Sequence, residues 1–210
     1  VEYYSDTKGT MIDVLNEVGK RIGYKMNIHT YAPARAVGEF FDNGQYDLLC
    51  PVSDAEQTAD RADKFVRTST VFQRRDTYFY LKSGPDLSQL ESAKGKTVGM
   101  NRSGFEPFMK KHFKDGEVKL SWVIDNMQNA KMLLSGRIDI AFMNIFGGVA
   151  CFVELKALDQ VAYDNNNPVL HEDAFFALHN NDRGKMLNAL ISPVIDQLHK
   201  EGFIKKLGLE

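Results

Sequence analysis

The chain has 210 residues, a formal net charge of -2, and 43% hydrophobic against 26% charged side chains. This is the composition of an ordinary folded chain, long enough for one large domain or for two lobes. It excludes a nucleic-acid binder built on a dense basic patch, and runs such as Ile138–Phe142 are far shorter than the roughly 20 apolar residues of a membrane span.

Val1-Glu2-Tyr3-Tyr4 has no basic n-region and no apolar h-region, so the expectation is a mature sequence from which any signal peptide is already removed. Met11, Val14, Leu15, Val18 and Ile22 recur at helical spacing, and Gly23 follows as a C-cap; the spacing predicts a helix over 10–22. Lys25–Thr30 (KMNIHT) alternates and predicts a strand. A second helix is expected from Pro33, with Val37, Phe40 and Phe41 on one face, ending at Asn43-Gly44. Tyr46–Cys50 (YDLLC) then reads as a short buried strand bounded by Gly44 and Pro51. Helix, strand, helix, strand in this order implies crossovers onto a parallel sheet.

Asp76–Leu81 (DTYFYL) is aromatic and strand-like, and Lys82–Asp86 (KSGPD) is the strongest turn cluster in the chain. Beyond it the pattern begins again: strand Lys96–Met100, turn Asn101–Gly104, helix Phe105–Phe113, strand Lys119–Val123, helix Met127–Leu134 and strand Ile138–Met143. The halves share one device. In Asn43-Gly44-Gln45-Tyr46-Asp47-Leu48 and in Ser135-Gly136-Arg137-Ile138-Asp139-Ile140, a glycine ends a helix and an Asp opens a buried strand. A last strand over Ala174–Leu178 and a helix over Gly184–Lys200, which Pro193 should kink, suggest that the chain returns to its first lobe. The expected division is 1–83 with 174–210 as one lobe and 84–173 as the other. Each is an α/β lobe with a mostly parallel sheet, and crossover strands join the two.

Four stretches carry a resemblance, in order, over nearly the whole chain. They are Gly9–Ile22 (GTMIDVLNEVGKRI), Asn43–Ser53 with Thr58-Ala59-Asp60-Arg61, Lys94–Gly99 (KGKTVG), and Gly136-Arg137-Ile138-Asp139, with Gly202–Leu207 (GFIKKL) closing the chain. They resemble the family 3 bacterial extracellular solute-binding proteins, whose fold is the type II periplasmic binding protein. The resemblance implies a two-lobed clamp, without catalysis, metal or cofactor, in the periplasm or another extracytoplasmic space. Its expected role is to bind a small solute in the interlobe cleft as a monomer and deliver it to an ABC transporter's membrane permease. A sensor lobe pair of a membrane receptor such as a sensor kinase, or a periplasmic dehydratase-like enzyme, would use the same scaffold. The family normally opens with a strand ahead of the first segment. It also carries an acidic residue where this chain has Asn144.

The candidate ligand residues follow from that frame. Arg61 offers a planar fork of donors to a carboxylate, and Arg35 stands at a helix start, where its charge opposes the dipole. Cys50, Pro51 and Ser53 follow the first buried strand. Arg102, Ser103, Gly104 and Phe105 follow a strand of the second lobe and open a helix, whose free N–H groups suit an anion. Asn144 ends another strand, while Tyr4 and Phe72 could stack on a ligand. The balance of these groups is positive and favours a carboxylate-bearing solute, an amino acid or related organic acid. Cys50 and Cys151 have neither metal-ligand nor CxxC spacing and read as two buried thiols. The five histidines lie apart from any nucleophile motif.

Overall fold

The structure is a computed structural model; it describes residues 9–31, 33–54, 61–101 and 105–209, with only the backbone described at 33, 34 and 105–107. The chain divides into two compact units, Val1–Gln73 with Glu172–Glu210, and Arg74–His171. The sequence reading placed the first crossing at the Lys82–Asp86 turn. The units divide earlier because the strand leading into that turn is paired along Asp76–Phe79 with a strand of the second unit.

In the first unit, α1 (Thr10–Ile22) buries Ile12, Val14, Leu15 and Val18, and Gly23 closes it in the left-handed conformation at φ 74°. α2 spans Pro33–Phe41 and β1 spans Leu48–Ser53, with a cis peptide between Cys50 and Pro51. The run 24–30, expected as a strand, has no regular secondary structure; strand-like alternation forms a strand only when a neighbouring edge supplies hydrogen bonds. β2 (Phe65–Arg67) and β1 both pair antiparallel with β8 (Leu170–His179). The crossovers expected from the element order therefore do not produce parallel pairing among the described strands of this unit. α6 (Asp182–Lys200) continues through Pro193, and α7 (Phe203–Lys206) follows Gly202.

β8 separates two apolar layers in the manner of a strand covered on both faces. Ala174, Phe176 and Leu178 join Val14, Leu15, Leu187 and Ile191 beneath α1 and α6. Phe175 and Ala177 join Phe40, Val52 and Phe65 on the α2 side. Each fully buried Phe or Leu contributes roughly 1.5–3 kcal/mol relative to exposure, so these layers hold the unit together.

The second unit is the parallel α/β layer that the sequence implied. β4 (Thr97–Asn101) pairs in parallel with β5 (Lys119–Val123) and with β6 (Ile140–Asn144). β3 (Phe72–Leu81) runs antiparallel to β6, and the short β7 (Val161–Ala162) pairs with β3. β3 and β8 each begin in one unit and end in the other. α3 (Phe105–His112), α4 (Asn126–Leu134) and α5 (Ile145–Glu154) follow β4, β5 and β6 in turn. α5 is absent from the sequence reading because Gly147-Gly148 interrupts an otherwise apolar run. Those glycines permit close approach: a Cβ at Gly147 would lie 2.6 Å from Asn126 Nδ2, and one at Gly148 would lie 2.5 Å from the Phe79 ring.

Candidate functional site

Open α/β layers present ligands to the carboxyl ends of their strands, where loops and helix starts converge. In the second unit this edge is built by asparagines. Asn101 ends β4 and donates from Nδ2 to Asn126 Oδ1 at 3.2 Å. Its own Oδ1 is enclosed and has no partner among the described residues. Asp125 caps α4 by accepting from Gln128 N at 2.6 Å. Asn144 caps α5 by accepting from Phe146 N at 3.1 Å, and its Nδ2 donates to Arg75 O at 3.0 Å. Asn144 thus spends both ends of its amide inside the unit, as a cap and as a tie to β3. Ile124 and Phe146 stand beside these caps with relative exposures of 77% and 36%.

Behind that edge, Asp76 faces Asn144 across the β3–β6 ladder and is 1% exposed. Arg74 Nε lies 2.6 Å from its carboxylate. Burial pushes the Asp76 carboxyl above the usual carboxylate range, and the guanidinium pulls partly in the other direction. Asn129 is fully buried and donates to Gly99 O at 3.0 Å and Phe142 O at 3.3 Å, tying β4 to β6. None of these groups was singled out from the sequence. The only cue was polar residues inside apolar periodicity: an Asp heading DTYFYL and an Asn within NMQNAKMLL.

In the first unit the chain leaves β1 at Ser53, which is 0% exposed and whose Oγ has no partner among the described residues. Asp54, next in sequence, accepts both Arg67 amino groups, at 3.1 and 2.6 Å. The Arg67 guanidinium lies 4.6 Å from the centre of the Phe175 ring, and that of Arg61 lies 5.2 Å from the centre of Phe41. Arg61 is half-buried, and the Phe41 ring steadies its guanidinium. Arg35 is exposed; it lies 4.4 Å over Tyr31, with Nε 3.4 Å from Glu39. Tyr31 and Tyr46 share a 2.5 Å hydroxyl contact, which pushes Tyr46 up to about 12.

Two of the expected contact residues face elsewhere in the first unit. Cys50 packs against the layer beneath α1 and α6, and burial raises its thiol. Phe72, the first residue of β3, is 5% exposed within that same layer, packed with Leu187 and Ile191 of α6. Pro51 is half-buried beside Cys50. Phe105 opens α3 as expected, its side chain lying outside the described residues; Tyr4, Arg102, Ser103 and Gly104 lie outside them altogether. Cys50 and Cys151 are free thiols. Among the described residues no helix is long and apolar enough to cross a membrane, and no three acidic, His or Cys side chains cluster to hold a metal.

No family model matches the chain, and no curated protein matches it in sequence. Solved structures do match it in shape. A histidine kinase sensor domain with similarity to periplasmic binding proteins aligns at TM-score 0.78 and 18% identity, over 95% of this chain and 83% of that one. An ancestral arginine-binding protein bound to arginine aligns at TM-score 0.75 and 20% identity, over 95% and 85%. The GluR0 ligand-binding core from Nostoc punctiforme, in complex with L-glutamate, aligns at TM-score 0.78 and 15% identity, over 98% and 92%. The chain therefore has the type II periplasmic binding protein fold, two α/β lobes with mixed sheets and crossover strands.

Proposed function

We propose that this chain is an extracytoplasmic receptor for a small solute bearing a carboxylate or another anionic group, and that it delivers that solute to a membrane permease. The observation that carries this reading is that, of four enclosed polar atoms without partners among the described residues, two stand at strand ends, Ser53 Oγ at the end of β1 and Asn101 Oδ1 at the end of β4, the others being Tyr78 Oη and Asn129 Oδ1. Buried polar atoms are nearly always satisfied, and each of these two strand-end atoms can take a ligand group as its partner. Ser53 offers a hydroxyl donor and Asn101 an acceptor. Arg61, steadied on Phe41, adds the charge that a carboxylate needs. The carboxylate of an α-amino acid matches the donors that Ser53 and Arg61 of the first unit offer. The arginine- and glutamate-bound relatives support that ligand class. No nucleophile or metal is needed for this role.

The likeness to a kinase sensor domain supports a second reading, in which the same binding event signals to a receptor instead of loading a transporter. Both readings share the ligand test. L-Arginine, L-glutamate, succinate and putrescine are titrated by calorimetry and by thermal shift. A carboxylate-bearing solute is expected to stabilise the protein, by about 2.7 kcal/mol at a hundredfold excess over Kd. Arg61→Ala is expected to weaken that binding by about 2–5 kcal/mol, the usual cost of removing one partner of a desolvated charge pair. Tight binding of putrescine with no response to the carboxylates would defeat the anionic reading, and unchanged affinity in Arg61→Ala removes Arg61 from the site.

A further inference from the structure

In the second unit, α5 reads Ile145–Val153 (IFGGVACFV) before its one ionised residue, Glu154, with no charged or amide side chain in that run. Its inner positions, Ile145, Gly147, Gly148 and Phe152, are buried, Gly148 against Phe79 of β3 and Gly147 against Asn126 of α4. Its outer positions are Phe146, Ala150 and Val153, all exposed, with Val149 half-buried among them. Spaced i, i+3, i+4 and i+7, these four form a single stripe along two turns. A helix that is apolar on every side belongs inside a structure, and a continuous exposed stripe marks a surface that another surface covers.

The charge of α5 says what covers it. Glu154 stands in the last turn, where it opposes the helix dipole, while the first turn holds no acidic residue. No hydrogen bond or ion pair from the described residues holds the Glu154 carboxylate. At the other end, Asn144 Oδ1 accepts one of the free N–H groups of the helix start, that of Phe146. A second α5 running antiparallel corrects both ends at once, since it sets its own Glu154 at this N-terminus and receives this Glu154 at its own. A lipid surface offers no such match. The charged groups beside the stripe, Asp125, Glu154 and Lys156, are of mixed sign, without the basic rim of a membrane-lying helix.

We propose that the outer stripe of α5 is a self-association surface, on which two copies of this chain pair through antiparallel α5 helices. The contact is isologous, about a twofold axis that passes between Val149 and Ala150. Phe146 of one copy lies against Val153 of the other, and Val149 against Ala150, whose small side chain lets the helices approach closely. Glu154 of each copy reaches Ile145, the first residue of the other α5. Ile124 adds apolar surface near the first turn, since Asn126, two residues on, packs against Gly147. Two turns of helix, about 15 Å, make a contact smaller than the roughly 800 Å² per partner of a standard interface, so the pair is reversible, with a Kd of roughly 10–100 μM. Below that concentration the chain is the monomer expected from its sequence. The pairing uses no residue assigned to the solute.

Sedimentation equilibrium of the full chain over about 1–500 μM tests this, and the mean mass is expected to rise toward that of two copies. Val153→Asp, at an exposed position that tolerates the change, is expected to weaken the association by about tenfold or more. Glu154→Lys, which sets a cation at the other copy's helix start, is expected to weaken it about tenfold at low salt. Leu190→Asp, at an exposed apolar position of α6, is expected to leave it unchanged. A mass that stays monomeric throughout, an association that Val153→Asp leaves intact, or one that Leu190→Asp removes overturns the proposal. Disulfide trapping reads the pairing directly. In a Cys151→Ser background, Ala150→Cys is expected to form an intermolecular disulfide and Val153→Cys is not. Antiparallel pairing holds the two copies of residue 153 about 10 Å apart along the helices, beyond the roughly 7 Å that a disulfide spans. Trapping by Val153→Cys in place of Ala150→Cys would overturn the antiparallel contact.

Discussion

The same short device, a helix stopped by glycine and a strand opened by Asp, ends differently in the two units. Gly44 and Gly136 both take the left-handed conformation, at φ 61° and 68°. Asp139 then closes a reciprocal pair with β4: its backbone N–H donates to Thr97 O at 2.9 Å, and its carboxylate accepts from Thr97 N at 2.7 Å. Asp47 has no paired strand beside it among the described residues and instead accepts Arg183 of α6 at 2.6 and 2.9 Å, on the surface. The local signal fixes where a strand begins; whether a neighbour lies beside that strand decides what its first residue does. Among the described strands, β4 of the second unit is paired on both edges, while β1 of the first is paired on one.

The comparison breaks most sharply at two glycines. A Cβ at Gly184 would run into the backbone carbonyl of His179, and one at Gly99 would run into Asn129 Oδ1 and, at 2.5 Å, into Ile138 Cδ1. Overpacking of this kind costs about 1–3 kcal/mol, toward the upper end where backbone must move. Each unit carries its own reporter thiol, Cys50 in the first and Cys151 in the second, and burial raises both. Gly184→Ala is expected to speed alkylation of Cys50 selectively, and Gly99→Ala that of Cys151. Equal acceleration of both thiols by either substitution would mean that the units open as one, and the contrast between them would lose its energetic content.

A second contrast lies in pH. Asp76 of the second unit is pushed up, first by burial and with Arg74 opposing. Asp47 of the first unit is held down, first by its bond to Arg183. For Asp76 the folded state keeps its proton to higher pH than the unfolded chain, so stability from this group is greatest below the unfolded value near pH 4. It declines as pH rises from there through the folded value. For Asp47 the sign reverses: its contribution is present above the unfolded value and is lost as pH falls through the folded one. Asp76→Asn is expected to flatten the decline in urea midpoint above about pH 4, and Asp47→Asn to flatten the loss on the acid side. A midpoint whose pH slope is unchanged in Asp76→Asn would show that the buried carboxyl does not titrate in that range.

Much of the fold was legible because periodicity and punctuation are local. α1 falls at Thr10–Ile22 and β5 at Lys119–Val123, as their spacing indicates. Pairing direction was not legible, since a strand's partner is chosen by non-local contacts: β1 takes β8, more than a hundred positions away, and runs antiparallel to it. The run 24–30 shows the same limit from the other side, for its alternation is real but among the described residues it pairs with no strand. At the site, strand ends such as Ser53 and Asn144 could be located from the sequence, but not where their side chains point. Asn144 turned inward as a cap, and Cys50 turned into the core, because backbone pleat and capping demand are settled only after folding.

The smallest effect sharpens the opening contrast. The side chains of Asp47 and Arg183 are 54% and 66% exposed, and water and salt screen a pair so placed even in bidentate geometry. The carboxylate of Asp139 binds a backbone N–H at the start of a paired strand, where its loss also loosens the ladder. Asp139→Ala is therefore expected to cost about 1 kcal/mol, the ordinary worth of such a bond, and to be insensitive to salt. Asp47→Ala is expected to cost less and to become silent at about 1 M salt, where the Debye length falls to about 3 Å. Urea denaturation of both variants at low and high salt measures the difference. An Asp47→Ala effect that matches Asp139→Ala and persists in salt would show that this Asp, too, anchors a strand edge in the folded protein.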